Sequence, residues 1–145
     1  MKIISGGQTG ADRTALEVAS ELGLQTGGVV PKGWRTEAGS DPTLAAFGCV
    51  QHHSPDYPPR TRQNVLSSDG TVWFGKTTSR GFLRTQKEAK EAQKPFLVNP
   101  DTKELIEWLA VHRMQVLNVA GNTLLENPHI RSQVRMFLTA ALAPR

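Results

Sequence analysis

Lys2-Ile3-Ile4-Ser5-Gly6-Gly7-Gln8-Thr9-Gly10-Ala11-Asp12-Arg13 opens the chain, and its reading decides the fold. Lys2 to Ser5 is a short apolar run that breaks into glycine, as a buried strand does at its end. From Ala11 the period changes. Ala11, Ala15, Leu16, Ala19 and Leu22 fall on one helical face, and Gly23 supplies the stop. Parallel α/β sheets bind ligands at the carboxyl ends of their strands. A glycine loop there lets backbone N–H groups approach an anion, and the helix N-terminus adds partial positive charge. Gly6, Gly7, Gln8, Thr9 and Gly10 are therefore read as the holder of an anionic group, a phosphate on a nucleotide-like ligand. The competing reading is a tight strand-to-helix turn with no ligand. The spacing matches neither G-x-G-x-x-G nor a P-loop ending in Gly-Lys-Ser/Thr, which disfavours a dinucleotide dehydrogenase and a P-loop NTPase.

Downstream, Thr26 to Val30 reads as a second strand before the turn Pro31-Lys32-Gly33. Residues 34–59 carry Pro, Gly and Ser with weak periodicity and read mostly as loop, with a short strand at Cys49-Val50-Gln51. Arg60 to Ser67 reads as a helix, Thr71 to Phe74 as a strand, Arg80 to Gln93 as a helix and Phe96 to Val98 as a strand. Asp101 with Glu104 has the spacing of a capping box ahead of Leu105, Ile106 and Leu109. Met114 to Val119 is a strand leading into Ala120-Gly121-Asn122. Asn127 and Pro128 suit the cap and first turn of a last helix facing inward with Ile130, Val134, Phe137, Leu138 and Ala141. Strands alternating with helices predict one α/β domain over residues 1–145, three layers around a mainly parallel sheet.

Composition bounds the partners. With 145 residues, 21% charged and no apolar run near membrane-spanning length, a membrane protein is not expected. Four residues before the glycines are too few for a signal peptide, so a cytoplasmic location is expected. One cysteine, Cys49, allows no internal disulfide and falls short of a thiolate zinc site; adjacent His52 and His53 diverge on an extended chain, so no metal is assigned. A net charge of +4 suits an anionic ligand, or plain solubility. Arg80, Arg84, Lys87 and Lys94 form a basic helical stripe, but Glu88 and Glu91 interrupt it without interleaved aromatics, and a solvated face is favoured over a nucleic-acid surface.

Asp12 and Arg13 stand in the first turn of the first helix, where Asp12 serves a cation, a ribose hydroxyl or only the helix dipole, with a lowered pKa expected. Gly75-Lys76-Thr77-Thr78-Ser79-Arg80 joins a strand end to a helix start, and its hydroxyls and Arg80 suit a second anion contact. The alternative is a polar turn with Ser79 as helix cap. Lys32 beside Gly33 is a further phosphate candidate, although such lysines are more often solvated. Trp34 or Phe82 is a candidate aromatic lining over the cleft.

Ile3 to Arg13 resembles the opening of the putative molybdenum carrier family, related to molybdenum-cofactor carriers and, more distantly, to the lysine-decarboxylase-like phosphoribohydrolases. Thr26-Gly27-Gly28 with Pro31-Lys32-Gly33, Arg60-Thr61 with Asn64-Val65, Ser68-Asp69-Gly70-Thr71 and Leu117-Asn118-Val119-Ala120-Gly121 match in order. The resemblance covers nearly the whole chain. It implies a Rossmann-like fold, a homo-oligomer, and binding of a pterin–phosphate cofactor (the molybdenum cofactor) or a nucleotide, with Asn118, Ala120 and Gly121 beside the ligand. The segments Gly75 to Gly81 and Asn122 to Glu126 depart from the family pattern, both on presumed ligand-facing loops.

No nucleophile stands next to a base, and Asp12, Glu37, Asp41 and Asp69 are scattered along the chain. The Pro-Gly-Gly-x-Gly-Thr-x-x-Glu signature of the phosphoribohydrolases is absent. Asp69 precedes a strand and belongs at the far end of the sheet. The sequence thus favours a carrier of a phosphate-bearing small molecule that hydrolyses no nucleotide. An enzyme acting on a nucleotide or phosphoribosyl metabolite comes second, and a nucleic-acid-binding module a distant third.

Overall fold

The computed structural model describes residues 1–144. Its strands are β1 (Lys2–Ile4), β2 (Gln25–Val30), β3 (Arg35–Thr36), β4 (Gly39–Ser40), β5 (Cys49–Gln51), β6 (Gly70–Phe74), β7 (Phe96–Val98) and β8 (Val116–Gly121). Its α-helices are α1 (Ala11–Glu21), α2 (Tyr57–Leu66), α3 (Arg80–Glu91), α4 (Thr102–Val111) and α5 (Ile130–Leu142). Six strands form one parallel sheet in the order β5-β2-β1-β8-β6-β7. β3 and β4 make a separate antiparallel hairpin. The result is the three-layer, Rossmann-like α/β architecture the strand–helix alternation predicts.

Side-chain alternation sorts the two faces of the sheet. Ile3, Val72, Phe74, Leu117 and Val119 point to one face and pack with α1 (Ala11, Ala15, Val18, Ala19), α4 (Leu105, Leu109) and α5 (Ile130, Val134, Leu138) in the main core. The residues between them, Thr71, Trp73, Asn118 and Ala120, point to the other face, under α2 and α3. There Phe82 of α3 meets Trp73 edge-on at 5.3 Å. Asn64 ties α2 to β2 by accepting from Val29 N at 2.8 Å and donating to Val29 O at 2.9 Å.

The predicted capping box closes as expected. Asp101 Oδ1 accepts from Glu104 N at 2.8 Å, and Glu104 Oε1 accepts from Asp101 N at 3.3 Å. Gly23, at φ 76, ends α1. β8 lies two residues later than the sequence reading and α3 ends two residues earlier, and three regions differ more. Residues 34–59 are more structured than their weak periodicity indicates, holding the β3–β4 hairpin, a 3-10 helix at Pro42–Phe47 capped by Asp41, and the expected β5. α2 begins at Tyr57, because prolines 58 and 59 fit a helix's first turn, where an N–H has no partner to lose. α5 begins at Ile130 with His129 as its cap residue. Asn127 and Pro128 lie before it, and Asn127 Oδ1 accepts from His129 N at 3.1 Å.

Candidate functional site

The helices after β1 and β8 cover one face of the sheet, and the helix after β6 covers the other. The chain therefore parts at the carboxyl ends of β8 and β6, the switch point where open parallel sheets hold ligands. A cavity of about 500 Å³ lies there. Gln8 and Asp12 reach it from the β1 loop, Trp73 from β6, and Ala120 and Gly121 from β8. Tyr57, Arg60 and Thr61 of α2, and Arg80, Gly81, Arg84 and Thr85 of α3, form the helical wall. Glu37, Thr123, Leu125 and Glu126 complete the lining from two connections.

The glycine loop holds a carboxylate, and it is the chain's own. Asp12 is 4% exposed, and its Oδ2 accepts from Gln8 N at 3.3 Å. Three further amides also turn inward: Gly7 N to Ser5 Oγ at 3.4 Å, Thr9 N to Gln8 Oε1 at 3.0 Å and Ala11 N to Asn122 O at 3.1 Å. The glycines serve close packing. A Cβ on Gly6 would sit 1.7 Å from Arg60 Nη1, so the guanidinium lies directly on the loop backbone. A Cβ on Gly7 would meet Val30 Cγ1 at 2.6 Å, and one on Gly10 would meet Asn122 O at 2.5 Å. A side chain at Gly7 therefore disturbs the core before it touches any ligand.

Arg60 completes the pair, with Nη1 at 3.3 Å from Asp12 Oδ2 and its guanidinium 5.3 Å from the centre of the Tyr57 ring. Burial nevertheless pushes the Asp12 carboxyl up to about 6, against the pull of Arg60 and of the Gln8 amide. This corrects the lowered pKa expected at a helix N-terminus: desolvation outweighs the dipole when the carboxylate is sealed in. Glu37 shows the opposite balance. Its partial burial would raise the pKa, but the hydroxyls of Thr9 and Thr123 and the amides of Leu125 and Leu124 gathered around it outweigh that and hold it below the ordinary value. Gln8 links the two carboxylates, since its Oε1 also accepts from Glu37 N at 2.8 Å.

Of the residues singled out in the sequence, Gln8, Asp12, Arg80, Ala120 and Gly121 line the cavity, and Thr9 supports it by donating to Glu37 and accepting from Leu124 N at 3.2 Å. Others are placed elsewhere. Arg13 turns to the 3-10 segment and pairs with Asp41 at 2.7 Å. Lys32 is exposed, and Gly33 N donates to Gln51 Oε1 at 2.7 Å. Gly75 N and O are both bound by the Asn99 side chain, at 2.7 and 2.8 Å. Thr77 and Thr78 are exposed outside the lining, and Ser79 is a helix cap whose Oγ accepts from Phe82 N at 3.1 Å. Asn118 is buried in the sheet, donating to Thr71 Oγ1 at 3.2 Å. Trp34 packs in the small cluster of Leu16, Val30, Leu44 and Cys49, and Phe82 is buried on Trp73, so the aromatic lining falls to Tyr57 and Trp73. Asp69 takes the amides of Gln115 and Val116 at 3.0 and 2.8 Å, at the amino end of the sheet as expected.

Sequence reasoning missed Arg60, Tyr57, Trp73 and Glu126 as site residues, left Glu37 among scattered acids and gave Arg84 to a solvated stripe. The Arg60-Thr61 dipeptide was the available signal, as one of the stretches carrying the family resemblance. Among the described residues, no group of His, Cys, Asp and Glu is arranged to hold a metal ion, and no helix is long and apolar enough to cross a membrane. Cys49 is buried, and that burial pushes its thiol up to about 11.

No curated protein matches the sequence. Among solved structures, the chain is similar to a 1.45 Å crystal structure described as a putative molybdenum carrier protein from Syntrophus aciditrophicus SB, with 36% identity and a TM-score of 0.89 over 98% of this chain and 94% of that one. The family model described as circularly permutated YpsA SLOG matches residues 3–142. The parallel sheet with its central last strand, the loop around Asp12 and the cavity at the β8–β6 divergence thus belong to a member of the circularly permutated YpsA SLOG family, a molybdenum-carrier-like, Rossmann-like protein.

Proposed function

We propose that the chain binds or carries a phosphate-bearing small molecule, a nucleotide or the molybdenum cofactor, in the cavity between β6, β8 and the α2–α3 wall. Arg80 and Arg84 carry this reading. Both line the cavity, and among the described residues neither forms an ion pair. Two arginines left without carboxylates at a strand-end cleft suit an oxyanion, which a guanidinium can bind through two hydrogen bonds. The description of the Syntrophus protein as a molybdenum carrier supports the carrier role. Native mass spectrometry of the protein as purified, with phosphorus analysis of any released molecule, tests it. Titration with nucleoside monophosphates then measures the dependence on Arg80 and Arg84. Unchanged affinity in Arg80→Ala and in Arg84→Ala would remove the anion from this wall.

A specific observation favours a second reading, hydrolysis of a nucleotide or phosphoribosyl metabolite. Asp12, with its carboxyl near 6, and Glu37, held low, share one cavity, and environments that separate two carboxyl pKa values suit acid–base work. A turnover assay over a nucleotide panel separates the readings: activity that vanishes in Asp12→Asn replaces the carrier with an enzyme. Self-association is proposed alongside, from the resemblance. A micromolar monomer mass in light scattering would refute it.

A further inference from the structure

Resting on that binding reading, we infer that the cavity recognises its ligand at two ends: Arg80 and Arg84 take the phosphate, while Glu37 and Glu126 accept N–H or O–H donors from the organic end. The ligand class is then a phosphomonoester on a donor-bearing sugar or heterocycle, not a bare oxyanion such as phosphate or molybdate.

The charges of the cavity carry the argument. Asp12 and Arg60 neutralise each other at 3.3 Å. The remaining charged liners are Arg80, Arg84, Glu37 and Glu126, and among the described residues none of these four is in an ion pair. Two cations and two anions thus face one cavity without reaching each other. The arginines belong to α3. The carboxylates belong to the β3–β4 hairpin and the segment after β8, and those two segments are bound together. Glu37 Oε1 accepts from the Thr9 hydroxyl and from Leu125 N at 3.2 Å, and Glu126 Oε1 accepts from Thr123 N at 2.9 Å. Local hydrogen bonds therefore fix both carboxylates in place. These bonds all fall on Oε1, and among the described residues Oε2 of each carboxylate takes no hydrogen bond and is left for a ligand.

A bare oxyanion would gain from the arginines and be repelled by the carboxylates. A molecule with an anionic end and a donor end satisfies both. The cavity volume, about 500 Å³, falls in the range of roughly 300–1,000 Å³ typical of small-molecule sites.

The test is calorimetric titration with inorganic phosphate, molybdate, a nucleoside 5′-monophosphate and a phosphorylated pterin. The expected result is that at least one organic phosphate binds tenfold or more above both inorganic ions. Glu37→Gln and Glu126→Gln should each weaken that ligand about tenfold, the effect of losing one good hydrogen bond to a charged group. They should leave inorganic phosphate unaffected or slightly favoured. Glutamine keeps an acceptor for the local hydrogen bonds, and an unchanged melting temperature confirms the fold. Which organic probe shows the glutamate dependence separates a nucleotide source from a pterin source. Inorganic ions that bind as tightly as the organic phosphates, or an organic preference that survives in both glutamine variants, would overturn the two-ended site. In either case phosphate binding that still depends on Arg80 and Arg84 leaves the simpler binding reading standing. Binding of no probe overturns both.

Discussion

The two faces of the sheet are built from the same six strands and do opposite work. Under α1, α4 and α5 the strands present Ile3, Val72, Phe74, Leu117 and Val119 to a continuous apolar core. Under α2 and α3 the alternating positions are Thr71, Trp73, Asn118 and Ala120, and the packing opens into a cavity lined by charge. The difference teaches a division of labour. The first face supplies stability through buried area, while the second leaves charged groups around a cavity without ion-pair partners among the described residues. Substitutions should therefore separate into those that unfold the protein and those that empty its site.

The largest effect should follow from the core face. Phe74 is fully buried and stacks with Phe137 at 6.1 Å. Phe74→Ala should cost about 3–5 kcal/mol in denaturant unfolding, the usual loss for a buried aromatic. Ligand affinity of the folded fraction should change much less.

Asp12 breaks the division, because it belongs to the site and yet bears on stability. Its pKa is raised to about 6 from an ordinary 3.8, so the folded protein holds this proton more tightly than the unfolded chain. Below about pH 4 both states are protonated and the group contributes nothing. As pH rises through the window from about 4 to 6, the unfolded chain loses its proton first, and stability falls by about 3 kcal/mol, at roughly 1.4 kcal/mol per unit. Asp12→Asn removes this slope. Measured by unfolding at pH 4 and pH 8, its stability relative to the parent should improve by about 3 kcal/mol at the higher pH. A pH-independent difference would place the carboxylate in water.

On the site face, Arg84→Ala should weaken binding of an anionic ligand by tenfold or more, the loss of a charge-assisted hydrogen bond of about 1.5–3 kcal/mol. Its melting temperature should stay within a degree or two of the parent, because Arg84 is half-exposed and unpaired. Arg80→Ala should behave alike. The smallest effect sharpens the boundary of the site. Lys32 is exposed and outside the cavity, so Lys32→Ala should alter neither binding nor stability.

The core face was legible in the sequence because its signals are local. The change of period at Ala11 gives α1, and the Asp101–Glu104 spacing gives α4. The near wall of the site, Gln8 and Asp12 with Ala120 and Gly121, was legible for the same reason, since each follows directly from a strand end. The far wall was not. Arg60 reaches Asp12 across 48 positions of chain, and Glu37 meets Leu125 across 88. No periodicity encodes such meetings. The glycine loop shows the cost of reading locally. Its composition pointed to an external anion, whereas the fold supplies Asp12 from within and lays Arg60 on top.

The place of β8 constrains how the chain can be made. It pairs with β1 on one side and β6 on the other, and no other strand joins those halves. During synthesis the β5-β2-β1 half and the β6-β7 half emerge before the strand that unites them. A nascent chain halted before Val116 exposes β1 and β6 as two open edges, each a template for wrong pairing. The ligand cleft opens beside that same late strand. A chain that stops before Val116 therefore lacks the β8 wall of the cleft and the continuity of the sheet together.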